Sequence, residues 1–246
     1  MKHIKKIIMV LFVGCLTLGL ISCKKETENL ASITEWPEFE LTGGSFVNLA
    51  VSAESFVDPG VSARYTSTGA AATVTTTGSV NMQVPGLYQL LYSAKDLSQQ
   101  WTIDVPRNIL VTNDLLTENY AGNYTVKTVN GFQTGTTPFA TKVENLRAML
   151  AAGSTTDRGT RAVTQMIPGQ LGWYMFSDIN WQASPMRMQF FDFGGGTFQP
   201  TPTSSNFGSI EGLIEYDPAT QTFTIFGIIP EGVNAGLTWC AVYTKI

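Results

Sequence analysis

The stretch Leu87-Tyr88-Gln89-Leu90-Leu91-Tyr92 is an aromatic and aliphatic run of strand length, and its kind recurs at Tyr124-Thr125-Val126-Lys127-Thr128-Val129 and Thr222-Phe223-Thr224-Ile225-Phe226. Such residues favour a pleated, half-buried surface, and they alternate here with polar ones between Gly, Pro, Asn and Asp breaks. From about residue 31 onward almost the whole chain reads this way. Asn130-Gly131 and Asp217-Pro218 mark turns, because Asn and Gly tolerate positive φ and Pro presets φ. One stretch reads as a helix. Thr141-Lys142-Val143-Glu144 has capping-box spacing, Val143, Leu146 and Leu150 follow at helical intervals, and Gly153 is placed to end it. The expected fold is mainly β with one short helix.

Working outward, a polar stretch at Asn113–Asn119 separates two strand-rich regions. Residues 36–112 have the size and strand spacing of a seven-stranded sandwich, and residues 118–246 read as a second, C-terminal β-domain, an antiparallel sandwich or barrel.

The amino terminus carries the sharpest signal. Met1–Lys6 is basic and Ile7–Ile21 almost unbroken in its apolar character. That run is too short for a membrane span, which needs about 20 apolar residues, and has the layout of a secretory signal. It ends in Leu20-Ile21-Ser22-Cys23. This order resembles the lipobox of bacterial lipoproteins, which implies removal of residues 1–22 and lipidation of Cys23. Residues 23–35, with Lys24-Lys25-Glu26-Thr27-Glu28-Asn29, then form a polar tether, and the protein is anchored to a leaflet rather than spanning it. A charged stretch just past the cysteine also resembles the export signal of surface lipoproteins. The expected place is therefore the outer membrane, facing the cell exterior.

Charge and cysteine content narrow the chemistry. Of 246 residues, 15 are basic, 19 acidic and one is histidine. The histidine, His3, and Lys2, Lys5 and Lys6 all fall in the signal, so the mature chain has 12 basic and 19 acidic residues, a net of −7. Without histidine there is no Ser-His-Asp or Cys-His nucleophile and no histidine metal site. An acidic chain is a poor partner for nucleic acid, which needs clustered Lys and Arg. With Cys15 removed and Cys23 lipidated, Cys240 has no intrachain partner, and its apolar neighbours make it a buried, inert thiol. No Asp-x-Asp-x-Asp loop points to calcium, so neither metal nor cofactor is expected.

Residues 173–207 are rich in aromatic side chains (Trp173, Tyr174, Trp181, Phe190, Phe191, Phe193, Phe198, Phe207), interleaved with Asp178, Asn180, Gln182, Arg187 and Asp192. Flat rings with nearby hydrogen-bonding groups are what a sugar face requires. Trp173, Phe190 and Trp239 sit in apolar runs and are expected in the core. Trp181 sits in the polar stretch Ser177–Pro185 and is expected to be an exposed platform, with Asp178, Asn180, Gln182, Tyr174 and Arg187 as the other ligand-binding candidates. Gly194-Gly195-Gly196 lacks a phosphate-loop frame and reads as a mobile loop tip. For glycoside hydrolysis two carboxyl groups are needed. Asp178, Asp192, Glu211, Glu215 and Asp217 are available without any distinguishing pattern, and Asp217, like Asp58, precedes a proline in a turn.

Two resemblances add to this reading. Phe56-Val57-Asp58-Pro59-Gly60-Val61, Val84-Pro85-Gly86-Leu87-Tyr88 and Tyr92-Ser93-Ala94-Lys95-Asp96 resemble bacterial immunoglobulin-like modules of surface proteins, with Leu97-Ser98 where those modules have Gly-Asn. Such modules mostly act as spacers. The order Tyr120-Ala121-Gly122-Asn123-Tyr124, Gly172–Asp178 and Leu237–Lys245 resembles the carboxy-terminal β-domain of lipoproteins of polysaccharide-utilisation systems. That resemblance implies a non-catalytic surface glycan-binding lipoprotein of a starch-utilisation-like system, holding a neutral polysaccharide or oligosaccharide beside an outer-membrane importer. The alternatives are a structural or adhesion lipoprotein whose aromatics are all core, and a divergent glycoside hydrolase.

Overall fold

The protein is described from a computed structural model, which covers residues 34–129, 131, 133–177, 187–201, 203–205, 208–232 and 234–246. The lipobox, Cys23, the tether up to residue 33, and Asp178, Asn180, Trp181 and Gln182 lie outside the described residues.

The N-terminal part is an immunoglobulin-like sandwich. Strands β2 (Phe46–Ala50), β6 (Thr102–Thr112), β5 (Gly86–Lys95) and β4 (Thr75–Thr77) form one sheet in that order, and β1 (Glu38–Leu41) pairs with β3 (Val61–Arg64) in the other. The strand-like run that opened the reading is the middle of β5, which lies antiparallel to β6 from Gly86↔Val111 to Lys95↔Thr102. Leu90, Tyr92, Ile109 and Val111 are buried between the sheets. Six strands form rather than seven, because the segment Ser67–Ala72 is a turn and an isolated bridge rather than a full strand.

Asp58, expected to be structural, has more partners than a turn requires. Its carboxylate caps Gly60 N–H at 3.0 Å and accepts from the Tyr92 hydroxyl at 2.9 Å. It also pairs with Arg107, a fully buried guanidinium that further donates to the carbonyls of Gly44, Thr42 and Gly60. The guanidinium lies 5.3 Å from the Tyr92 ring. A buried cation is tolerable only when its donors are satisfied, and four partners do that here.

The C-terminal part is one strongly curled antiparallel sheet. Two meanders make it: β7 (Gly122–Val129), β8 (Thr155–Gln165), β9 (Trp173–Phe176), β10 (Met188–Asp192) and β11 (Phe198–Pro200), then β12 (Thr203–Ser205), β13 (Gly208–Asp217), β14 (Thr222–Ile228) and β15 (Thr238–Lys245). Their order is β11-β10-β9-β8-β7-β15-β14-β13-β12, so pairing of the first and last strands joins the meanders. The sheet closes almost into a barrel, because Phe198 of β11 reaches Tyr216 and Phe223 at 6.1 and 5.6 Å. Its interior is aromatic. Tyr120 alone meets Tyr174, Phe198, Tyr216 and Phe223 edge-on at 4.9–5.5 Å. Trp239 and Tyr243 face the same interior, and the Trp239 indole occupies the space a side chain at Gly227 would need.

The helix α1 (Phe139–Ala151) covers the outer face of this sheet. Val143 and Leu146 pack on Val129, Phe226 and Cys240. It begins at Phe139 behind Pro138 with no side-chain cap, two residues ahead of the Thr141–Glu144 pattern, because proline fits the start of a helix without losing a needed N–H. It ends as expected, with Gly153 at φ +71°. Cys240 lies beneath it, and burial pushes its thiol up to about 12.

Candidate functional site

The segment that joins the two parts is not a free linker. Leu116 is buried with Phe46 and Leu110 from the N-terminal sandwich and Phe191 and Phe193 from the C-terminal sheet, and Trp173 closes the cluster. Hydrogen bonds stitch it: Asn113 N–H donates to Phe193 O at 2.6 Å, and Gly195 N–H to the Asp114 carboxylate at 3.1 Å. Asn48 Nδ2 donates to Leu171 O at 3.2 Å across the same junction.

The triple glycine belongs to this junction, which corrects its reading as a loop tip. Gly194, Gly195 and Gly196 all hold left-handed φ of 60–75°, and a Cβ at Gly194 would collide with the Asp114 carboxylate. Only glycine allows both the turn and that approach. Together with Glu118, Tyr120 and Asp192 these residues line a small cavity of about 170 Å³. Asp192 is buried at its base and accepts from Gly194 N–H at 2.8 Å. Desolvation lifts its carboxyl to about 6 against the pull of the Gly194 bond, and the nearby Asp114 charge adds to the rise.

A larger concavity runs between α1 and β13, about 680 Å³, with mostly apolar walls. Phe139, Val143 and Leu213 supply apolar surface, and Thr141, Glu144 and Asn145 offer hydrogen-bonding groups along the helix. Arg147 lies 4.7 Å over the Phe226 ring and holds Glu215 in a two-pronged ion pair, with Glu144 at 3.3 Å. Its charge is therefore met within the groove. Hydrogen bonding to Glu215 raises the Arg147 pKa further.

The structure divides the expected ligand-binding residues. Tyr174 is fully buried and its hydroxyl donates to Glu118 O at 3.1 Å, so it presents no surface to a ligand. Its alternation within β9 turns it into the aromatic interior, stacked on Phe190 at 5.5 Å. Arg187 is exposed and immediately precedes β10. Asp178, Asn180, Trp181 and Gln182 lie outside the described residues, so Arg187 and Tyr174 are the two members of the set that can be placed. Among the described residues the other aromatics of that region are core or junction: Phe190 and Phe198 face the sheet interior, while Trp173, Phe191 and Phe193 face the N-terminal module, and Phe207 lies outside the described residues.

Of the carboxylates, Asp217 accepts from Ala219 N–H and the Thr220 hydroxyl in its turn, as expected of a structural residue. Glu211 and Glu215 lie four residues apart on β13, about 13 Å along the strand, beyond the roughly 5–9.5 Å of glycosidase pairs. Among the described residues no group of three or more Asp, Glu, Cys or His is arranged to hold a metal ion. The exposed tryptophans among the described residues, Trp36 and Trp101, belong to the N-terminal part, where sequence reading did not place a surface aromatic.

The family to which the N-terminal part is similar agrees with its architecture. Residues 39–111 match the family described as bacterial surface protein, Ig-like domain, so the chain carries a domain of that kind. Among solved structures the chain is similar to the lipoprotein BT2262 from Bacteroides thetaiotaomicron, at 20% identity and a TM-score of 0.36, with 85% of this chain and 100% of that one covered. No curated protein matches.

Proposed function

We propose that the chain is a lipid-anchored surface protein that holds a neutral glycan without cleaving it, through its C-terminal β-domain. The observation that carries this reading is the groove between α1 and β13, with apolar walls and a row of amide, hydroxyl and carboxylate groups. Sugars present C–H faces and hydroxyls together, and a lining of that mixed kind suits both. Among the described residues that line the groove the one cation, Arg147, is already paired with Glu215, which favours an uncharged ligand over an anionic one. The Ig-like domain is of the surface-protein kind and supplies a rigid spacer behind the binding domain. The lipobox-like Leu20-Ile21-Ser22-Cys23 supports an anchor at Cys23, the charged tether supports an outward-facing place in the outer membrane, and the resemblance of the C-terminal β-domain to polysaccharide-utilisation lipoproteins supports a place beside an importer.

Affinity gels with a panel of neutral polysaccharides test the reading. Retardation is expected, and Asn145→Ala with Leu213→Ser should weaken it about tenfold or more if the groove is the site. Trp181→Ala is the parallel variant. Loss of retardation there, with the groove variants unaffected, would move the site to the 178–186 segment. Retardation by no polysaccharide would leave a structural lipoprotein as the better account.

A further inference from the structure

The N-terminal module ends in a tip at which the incoming chain and the β5–β6 hairpin meet. Leu97 N–H donates to Glu35 O at 2.9 Å, and the Glu35 carboxylate is bound by the backbone N–H of Ser67 at 2.7 Å and the hydroxyls of Thr66 and Ser67. The hairpin is rigid. Asp96 is fully buried, and its carboxylate accepts from the N–H groups of Gln100 and Trp101, each at 2.8 Å. Gln99 holds φ +61° and ties its amide to the Tyr65 hydroxyl at 3.2 Å. On this fixed frame stand three large apolar side chains in solvent: Trp101 at 61% exposure, Leu97 at 43% and Trp36 at 40%. A tightly bonded turn that holds its indole outward has no packing reason to do so, since a Trp inside the sandwich would bury far more apolar surface.

We propose that this tip seats on the bilayer that carries the lipid of Cys23, with the Trp36 and Trp101 indoles in the headgroup layer. The proposal rests on the lipid-anchor reading of Cys23. Glu35 lies twelve residues after Cys23, so the chain between them can span at most about 43 Å. A tether of that length keeps the tip at an effective concentration on the order of millimolar at the membrane, where even weak partitioning is enough to dock it. Trp is the side chain that prefers the membrane–water boundary, its apolar body inward and its N–H toward water. The rest of the module agrees with such a seat. Strand β6 begins directly after Trp101 and runs to Thr112 at the domain junction, about 33 Å away at strand rise. A tip on the bilayer therefore points the C-terminal domain away from it. The Glu35 carboxylate is held in hydrogen bonds to Thr66 and Ser67, and that of Asp96 is buried and bonded to the Gln100 and Trp101 N–H groups, so neither stands as a free charge beside the indoles.

The test reconstitutes the acylated chain into phosphatidylcholine vesicles whose acyl chains are brominated near the headgroup, where bromine quenches shallow indoles. Quenching is expected for the native chain, and it should fall at least fivefold in the Trp36→Ser, Trp101→Ser double variant, with a cooperative thermal melt as the check that the variant is folded. Equal quenching in the two, or none while the chain stays on the vesicles, overturns the proposal. Loss of polysaccharide retardation in the double variant with quenching intact also overturns it, by making the tip a glycan platform. If the chain does not stay on vesicles, the anchor reading has failed instead. The chain from Cys23 onward is then coupled through Cys23 to a maleimide phospholipid, Cys240 being buried, and the same two quenching outcomes decide the tip on its own.

Discussion

The Phe46 ring of the N-terminal sandwich stacks on the Trp173 indole of the C-terminal sheet, with centroids 5.8 Å apart and planes 30° from parallel. Trp173 stacks in turn on Phe191 at 5.3 Å and donates its indole N–H to Gln189 at 3.2 Å. One indole thus couples the two modules, and the half-buried ring is the centre of an interface rather than of either core. Trp173→Ala should cost about 2–4 kcal/mol and split a single calorimetric unfolding transition into two. A single transition that merely shifts would mean that the hydrogen bonds made by Asn113 and Asp114 suffice for coupling.

Arg107 should be irreplaceable within the Ig-like domain. It serves Asp58 and three carbonyls from the β1–β2 and β3 approaches. Arg107→Met leaves Asp58 without its counter-charge and takes a donor from each of the three carbonyls, and should cost about 3–5 kcal/mol in urea unfolding. Arg107→Lys should recover only part of it, because one ammonium cannot span the fork.

Asp192 makes stability fall as pH rises. Its folded pKa of about 6 stands above the ordinary carboxylate value, so its favourable contribution is complete below about pH 4 and lost as pH rises through 6. The loss amounts to at most about 3 kcal/mol. Asp192→Asn keeps an acceptor for Gly194 N–H and removes the charge. Thermal melts should show the variant more stable than the native chain at pH 7.5 and equal to it near pH 4. A constant difference across that range would exclude titration of this carboxyl as the cause.

Acylation has a mass signature. Intact mass of the membrane-extracted protein should show loss of residues 1–22 and gain of lipid at Cys23, and Cys23→Ala should release the chain from membranes. A soluble product retaining Met1 would refute the lipobox reading.

The fold was largely legible because alternation and turn chemistry are local. The runs at 87–92, 124–129 and 222–226 became β5, β7 and β14, and Asp58-Pro59 and Asp217-Pro218 became turns capped by their own carboxylates. What was not legible depended on partners far along the chain. Tyr174 is core because Tyr120, more than fifty residues earlier, packs against it. The triple glycine is a junction element because Asp114 reaches it across 81 positions. Arg107 stands in Val105-Pro106-Arg107-Asn108-Ile109-Leu110-Val111, and a charged residue amid such an apolar strand was the one signal that it needed a buried counter-charge. Trp101 follows Asp96-Leu97-Ser98-Gln99-Gln100, a polar turn text that equally marked an exposed ring.

The central claim is that a neutral glycan is held and not cut. Isothermal titration of the full chain with the oligosaccharide of whichever polysaccharide retards it, at low and at high salt, with chromatography of the sugar afterwards, tests this most directly. The account predicts binding at tens of micromolar or weaker, as shallow wet sites give, with little change on raising salt and the oligosaccharide recovered intact. Shortened products would make the protein a hydrolase. Affinity that collapses with salt would make the ligand anionic, and absence of heat with every neutral sugar would contradict the claim outright.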